Sequence, residues 1–301
     1  MTKLNVLSLF DGMSCARIAL DKLGIPCTYY ASEVDQYAIK VAKANYPDTI
    51  HLGSVTDVKW NDKHPIDLLV GGSPCQGFSF AGKRLNFDDP RSKLFWEYVR
   101  VLKETRPRYF LLENVRMKQQ SQDVITEALG VEPVSINSNL VSAQNRHRLY
   151  WSNIPFNIPD DRGIVLQDIL EYGMTDREKS HCLDANYFKG GNLKSYFEKN
   201  RRQLVFNDVV IAQRPRGANR GGLRALDGKS PSLSISSWEQ NNFLVHTDNL
   251  KWRKLTPIEC ERLQTVPDNY TNHVSNTQRY KMLGNGFTVD IIAHILKGME
   301  L

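Results

Sequence analysis

The sequence predicts an α/β fold: a doubly wound, mostly parallel sheet joined to a small irregular domain. Three observations carry this. From the start to Pro155 the chain alternates short β-rich runs with helical runs. From Asn157 to Leu250 the periodicity lapses and Gly, Asn, Ser and Arg predominate. Helical patterning returns at Leu255 and holds to the end.

The elements follow in order. Asn5 to Phe10 reads as a strand, and Ala16 to Leu23 as a helix stopped by Gly24. Thr28 to Glu33 is a strand. Asp35 to Asn45 is a helix with Asp35 as N-cap. Asp67 to Val70 is an apolar strand closed by Gly71-Gly72. Lys93 to Thr105 carries Leu94, Phe95, Tyr98, Val101 and Leu102 at helical spacing. Tyr109 to Leu112 and Leu149 to Trp151 are further strands. Thr256 with Glu259 forms a capping box, with Pro257 at the first helical position. The last helix is Phe287 to Lys297. It follows Gly284-Asn285-Gly286, a turn that could aim backbone N–H groups at an anion.

A chain of 301 residues, 41% hydrophobic and 24% charged, has room for one large domain, or one large and one small. No leading apolar signal and no uncharged run of membrane-spanning length is present. The five cysteines (Cys15, Cys27, Cys75, Cys182, Cys260) are scattered and form no C-x-x-C. That pattern suggests neither zinc nor a disulfide framework and fits a reducing cytoplasm. The net charge of +6 leans towards an acidic partner such as nucleic acid. Ten Lys/Arg against three Asp/Glu between Lys189 and Lys229 concentrate that charge in the irregular region. Within it, Arg214-Pro-Arg216-Gly-Ala-Asn-Arg220-Gly-Gly-Leu-Arg224 reads either as a solvated loop or as glycine-rich backbone that lies close to phosphates.

Chemistry gathers at the strand ends. Ser73-Pro74-Cys75-Gln76 puts a thiol on the loop leaving a buried strand, where open α/β sheets hold their reacting groups. Glu113-Asn114-Val115 ends a second strand, and Gln144-x-Arg146-x-Arg148 opens a third. A thiol, a carboxyl and an arginine together can attack an electron-poor ring. Phe10-Asp11-Gly12-Met13-Ser14 joins the first strand to its helix, where a nucleotide-like cofactor would sit. With one glycine, the G-x-G-x-x-G fingerprint fails, which disfavours a pyrophosphate cofactor. S-adenosyl-L-methionine asks less of the glycines. Glu33, at the next strand end, can hold ribose hydroxyls.

The ordered set Phe10-Asp11-Gly12, Glu33, Pro74-Cys75-Gln76, Glu113-Asn114-Val115, Gln144-x-Arg146-x-Arg148 and Gly284-Asn285-Gly286 resembles the DNA (cytosine-5)-methyltransferase family. The likeness covers about residues 4–156 and 252–297. Phe10-Asp11-Gly12 and Ser73-Pro74-Cys75 look closest to phage and prokaryotic enzymes and to the eukaryotic de novo branch; much of the family has Pro-Pro-Cys-Gln.

The resemblance implies a Rossmann-like catalytic domain, 1–156 plus 251–301, and a target-recognition domain, 157–250. It implies that Cys75 attacks carbon 6 of a cytosine, as a thiolate can near neutral pH. Glu113 would bind ring nitrogen 3 and the exocyclic amine, carrying a proton to do so. Arg146 would hold the 2-oxo group and position the thiol, with Arg148 supporting the loop or a phosphate. Phe10 and Val34 would flank the adenine. Gly12 and Met13 would give backbone contacts, Glu33 the ribose contact, and Asn285 with Phe287 contacts near the methionine end. Asp11, Ser14, Val55 and Leu94 complete the cofactor set. Where the family usually has Gly-Asp-Ile or Gly-Asp-Val, this chain has Gly53-Ser54-Val55. Ser54 would then accept from the adenine amine more weakly, or Asp57 would reach in.

Phe78 to Asp89 resembles a loop that closes over a flipped base, because carbon 6 is inaccessible inside the stack. Gln76, Ser79 and Arg84, with Arg214, Arg216, Arg220 and Arg224, are the candidate DNA contacts. The implied partner is duplex DNA, read by a monomer in a prokaryotic or phage-infected cytoplasm, with a cognate restriction enzyme possible and no metal or membrane. The alternatives are a tRNA cytosine-5 methyltransferase and a catalytically silent DNA-binding relative.

Overall fold

The computed structural model describes residues 3–60, 64–73, 90–193, 196, 199, 201–206, 210–213, 222–225, 243–244 and 252–301. Its main sheet is built from β1 (Leu4–Leu9), β2 (Cys27–Ser32), β3 (Ile50–Gly53), β4 (Leu68–Gly71), β5 (Tyr109–Val115), β6 (Val134–Asn137) and β7 (His147–Ser152). Their spatial order is β3-β2-β1-β4-β5-β7-β6. All pairings are parallel except those of β7, which runs against both β5 and β6. The α/β class expected from the sequence is the class observed.

Period-two alternation decides which side chains go to which face. Val6, Leu68, Val70, Leu111 and Tyr150 enter one core, while Leu7, Leu9, Leu69, Leu112 and Trp151 enter the other. The first core is covered by α1 (Cys15–Lys22), through Ile18, Ala19 and Leu20, and by the last helix (Val289–Leu296) through Ile291, Ile292 and Ile295. The second is covered by Phe95, Tyr98 and Val101 of the helix Pro90–Thr105 and by Ile125 and Leu129 of the helix Gln119–Leu129. Helix α2 (Gln36–Asn45) begins at Asp35, whose side chain accepts from the Tyr37 N–H at 3.0 Å, as the N-cap reading requires. Helices Pro90–Thr105 and Gln119–Leu129 are α3 and α4 below.

Beyond β7 the chain does not leave the core at once. Leu166 and Ile169 of the short helix α5 (Leu166–Ile169), with Leu183, Tyr187 and Val205, pack in the same cluster as Val6. Strand β8 (Leu204–Phe206) then pairs antiparallel with a strand at Trp252–Lys254. Between them β9 (Val210–Gln213) is flanked by β10 (Gly222–Ala225) and β11 (Phe243–Leu244), with Trp252–Lys254 being β12. No helix of the described residues is long and apolar enough to cross a membrane.

The capping box of α6 (Pro257–Leu263) forms as expected: Thr256 accepts from the Glu259 N–H at 3.2 Å, and Glu259 accepts from the Thr256 N–H at 2.8 Å. One expectation needs correction. Gly284 and Asn285 are not a turn aiming N–H groups outward; they close a helix, α7 (Asn276–Asn285). The Gly286 N–H donates back to the Met282 carbonyl at 2.8 Å, so it is already committed. The final helix, α8 (Val289–Leu296), starts at Thr288.

Candidate active site

The parallel strands all end at one edge of the sheet. Because β7 runs the other way, its beginning lies at that same edge, with Arg148 opposite Val115 and Tyr150 opposite Glu113. A cavity of about 470 Å³ opens there. Its volume lies in the range of small-molecule sites. It is lined by Phe10, Asp11, Gly12, Glu33, Val34, Ser54, Val55 and Leu94, by Asn285 and Phe287, and by Glu113, Arg146 and Arg148.

The loop from β1 to α1 forms one wall. Phe10, Gly12 and Ser14 take positive φ angles of 57°, 58° and 65°. Glycine meets this without cost; Phe10 and Ser14 store backbone strain, a pattern frequent where a loop is shaped around a ligand. The Asp11 carboxylate holds the loop by accepting from Ser14 Oγ at 2.5 Å and Tyr29 Oη at 2.7 Å. Burial pushes Asp11 up to about 6, against the pull of its hydroxyl partners. Met13 and Ser14 are fully buried behind this wall and do not line the cavity. The Met13 carbonyl accepts from Tyr270 Oη at 2.7 Å instead. The contact expected of Met13 is a backbone one; its side chain and that of Ser14 point to the core.

Glu33 organises the next wall. Its Oε2 accepts from the Gly12 N–H at 2.7 Å, and its Oε1 accepts from the N–H groups of Val34 and Asp35 at 2.7 and 2.8 Å. Val34 is 66% exposed, a large apolar residue left uncovered beside the cavity. Ser54 lines the cavity and caps a short helical turn by accepting from the Thr56 N–H, whereas Asp57 is exposed and not part of the lining. Of the two readings for this position, the geometry supports Ser54.

Arg148 Nε lies 2.9 Å from Glu113 Oε1, both side chains nearly buried. The Asn114 amide donates to the Ser73 carbonyl and Oγ at 3.3 and 3.2 Å, fixing the exit of β4 two residues before Cys75. Gly72 has no room for a side chain: a Cβ there would stand 2.7 Å from the Phe287 ring and 3.4 Å from Glu113 Oε2. Arg146 is committed elsewhere. Its Nη1 donates to the Leu183 carbonyl at 2.9 Å, and its Nη2 to those of Gly284 and Gly286 at 3.2 and 2.9 Å. Burial, with Arg148 alongside, holds its guanidinium below the ordinary arginine value. The sequence gives Arg146 the base and Arg148 support; the geometry has Arg148 facing the carboxyl and Arg146 bracing the chain.

Sequence reasoning misses several contributors. Lys281 on α7 pairs with Asp35 at 2.9 Å, and both line the cavity. Gln144, named in the sequence only as part of its motif, is completely buried and donates to the Leu263 carbonyl at 2.6 Å. The Asp11–Tyr29 hydrogen bond is hidden from pattern because its members belong to different elements. Cys75, Gln76, Ser79, Arg84, Arg214, Arg216 and Arg220 lie outside the described residues, and of Arg224 only its place in β10 is described.

The lining fits S-adenosyl-L-methionine. Phe10, Val34, Val55 and Leu94 offer apolar surface for a purine, and Glu33 and Ser54 offer acceptors for hydroxyls and an amine. Asp11, Glu33 and Asp35 supply negative charge for a cationic sulfur.

Comparisons with known proteins agree with this geometry. The pattern of the C-5 cytosine-specific DNA methylase family matches residues 4–300. The type II methyltransferase M1.ScrFI of Lactococcus lactis subsp. cremoris is 31% identical over 320 residues, spanning 99% of this chain and 78% of that protein. The type II methyltransferase M.HhaI of Haemophilus parahaemolyticus is 27% identical, spanning 98% and 94%. Among solved structures, the Entamoeba histolytica methyltransferase EhMeth superposes with a TM-score of 0.65 at 14% identity, covering 99% of this chain and 98% of that one. Spodoptera frugiperda DNMT2 does so with 0.63 at 19% identity, covering 98% and 99%. These two establish likeness of fold.

Proposed function

The chain belongs to the C-5 cytosine-specific DNA methylase family and is a DNA cytosine-5 methyltransferase, and from that premise we propose that it methylates carbon 5 of a cytosine extruded from duplex DNA through a covalent adduct on Cys75. One observation carries the reading. A single cavity joins the acceptors suited to S-adenosyl-L-methionine with the Glu113–Arg148 pair, so donor and base can meet. When bound, S-adenosyl-L-methionine supplies a methyl group on positively charged sulfur, which an electron-rich carbon 5 accepts.

The chain's own residues do the rest. Phe10 and Val34 flank the adenine, Ser54 accepts from its amine, Glu33 holds the ribose hydroxyls, and Asn285 with Phe287 bounds the methionine end. Cys75 attacks carbon 6, breaking the 5,6 double bond and pushing electron density to carbon 5. Glu113 delivers a proton to nitrogen 3, neutralising the charge that the attack would otherwise leave on the ring. Arg148 orients Glu113 and donates to the 2-oxo group. After methylation, carbon 5 loses its proton to water and nitrogen 3 returns its proton to Glu113, which restores the double bond and expels the Cys75 thiolate. Arg146 does not touch the base in this scheme; it holds the Gly284–Gly286 carbonyls on which Asn285 and Phe287 depend.

Residues 207–251, between β8 and β12, carry Arg214, Arg216, Arg220 and Arg224, and we assign DNA reading to this segment. The enzyme acts as a monomer in the cytoplasm of a prokaryotic or phage-infected cell. Type II relatives support pairing with a restriction enzyme.

Duplex DNA bearing 5-fluorocytosine at the target tests the scheme. Attack and methylation proceed, but fluorine cannot leave carbon 5 as a cation, so the adduct persists through denaturing electrophoresis. The expected result is a trapped complex with wild type and none with Cys75→Ala. Trapping of fluorinated tRNA in place of DNA would move the substrate to RNA. No trapping by an active preparation would refute covalent catalysis.

A further inference from the structure

Of the acids set above against the cationic sulfur, Asp35 is paired with a lysine that the proposed transfer does not use. Lys281 Nζ lies 2.9 Å from Asp35 Oδ2. The pair ties α7, four residues before Asn285, to the cap of α2, two residues after Glu33. Asp35 is fixed from both sides: its N–H donates to Glu33 Oε1 at 2.8 Å, and its Oδ1 accepts from the Tyr37 N–H at 3.0 Å. Burial pushes its carboxyl up, but the hydrogen bonds from Lys281 and the α2 amides outweigh this and hold it below the usual carboxylate range. Asp35 is therefore charged wherever the enzyme works.

The charges around the cavity are unevenly committed. Its described lining holds the cations Arg146, Arg148 and Lys281 and the acids Asp11, Glu33, Asp35 and Glu113. Arg148 faces Glu113, and Arg146 is occupied by backbone carbonyls. Beside Asp35, Lys281 is the cation among the described residues that offsets the acids. Methyl donor and demethylated product have nearly the same shape there. They differ by one positive charge on sulfur, so shape cannot separate them and the local field can.

We infer, on the cofactor reading proposed above, that the Lys281–Asp35 pair sets the balance between the charged methyl donor and its neutral product. Lys281 restrains the preference for the donor, and Asp35 promotes it. Removing either partner leaves the other unopposed, so the two substitutions act in opposite directions on the ratio of affinities. A merely structural role would weaken both ligands alike.

Calorimetry without DNA tests this, using S-adenosyl-L-methionine and S-adenosyl-L-homocysteine on wild type, Lys281→Met, Asp35→Asn and the double variant. Asparagine keeps the cap on α2. Lys281→Met is expected to shift the Kd ratio about threefold or more towards the donor, as one charge at partial screening does. Asp35→Asn shifts it the other way, and the double variant returns near the wild-type ratio. Both shifts shrink in high salt. An unmoved ratio, or two shifts of the same sign, overturns the inference while wild-type binding leaves the cofactor reading standing. Wild type binding neither compound overturns both. Ligand-free melting checks the fold, and Lys281→Gln is read by the same criterion if Lys281→Met does not fold.

Discussion

Arg148 and Glu113 meet at 2.9 Å on adjacent strands that run in opposite directions, and the reversal of β7 is what brings them together. Had β7 been parallel, its first residues would lie at the far edge of the sheet. The antiparallel strand thus supplies a cation to an edge where the parallel strands supply loops.

The division of labour between the two arginines separates in measurement. Arg148→Ala should keep the melting temperature and lower turnover on the order of a hundredfold, the scale for one absent charged donor. Arg146→Ala should instead destabilise the fold by about 3 kcal/mol or more, because the Leu183, Gly284 and Gly286 carbonyls lose the guanidinium they accept from, Gly286 keeping only a 3.3 Å bond from Gln264 Nε2. Denaturant titration beside steady-state kinetics checks both. Comparable losses of stability in the two variants would contradict the assignment.

Glu113→Gln keeps a donor near the base but supplies no proton to nitrogen 3. Turnover is expected to fall about a hundredfold or more, with cofactor affinity retained. Single-turnover methylation assays read this directly; near-normal rates would make Glu113 a scaffold residue.

Asp11 makes stability depend on pH. Its folded value, raised by burial to about 6 from 3.8, means that the folded chain binds its proton more tightly than the unfolded one. That contribution is fully present below about pH 4 and fades as pH rises through 6. Asp11→Asn should therefore be relatively more stable at neutral pH, by roughly 2–3 kcal/mol at most, and should show a shallower slope between about pH 4 and 6. Urea midpoints across that range check it; an unchanged slope would show that Asp11 titrates normally.

Substituting Arg216, Arg220 and Arg224 together by alanine should weaken DNA binding and flatten its salt dependence. Every phosphate that the variant no longer neutralises lowers the log–log slope by about 0.9. Filter binding at several salt concentrations measures it. An unaltered slope would leave this stretch as solvated surface.

Much of the site is legible in the sequence because strand ends announce themselves. Apolar runs stopped by Gly71-Gly72 or by Glu113-Asn114 mark both the strand and the side chain it delivers. Phe10, Glu33, Val34, Ser54, Leu94 and Asn285 are expected at the site, and the cavity gathers them. Edge strands β3 and β6 escape a reading by pattern, being four residues each and only partly buried. Helix α7 escapes it because its sequence is polar along much of its length. Pattern cannot order the roles of Arg146 and Arg148, since two residues apart they look equivalent. What separates them is the carbonyls of Leu183, Gly284 and Gly286, which are distant in sequence. Met13 and Ser14 lie outside the cavity lining, and the left-handed residue at Ser14 that shapes this loop is invisible to pattern alone.

The cavity draws Phe10 from the loop after β1 and Phe287 from the loop before α8, with Tyr270 reaching Met13 and Lys22 reaching Asp290 at 2.6 Å. A ribosome releases the first wall long before the last. Strands β1 to β7 can assemble as they emerge, but the donor has no enclosed seat until α7 and α8 arrive. Methylating capacity thus waits on α7 and α8, however complete the sheet already is. A fragment broken off upstream of Lys281 would be a sheet without a chamber, unable to hold the donor or consume it.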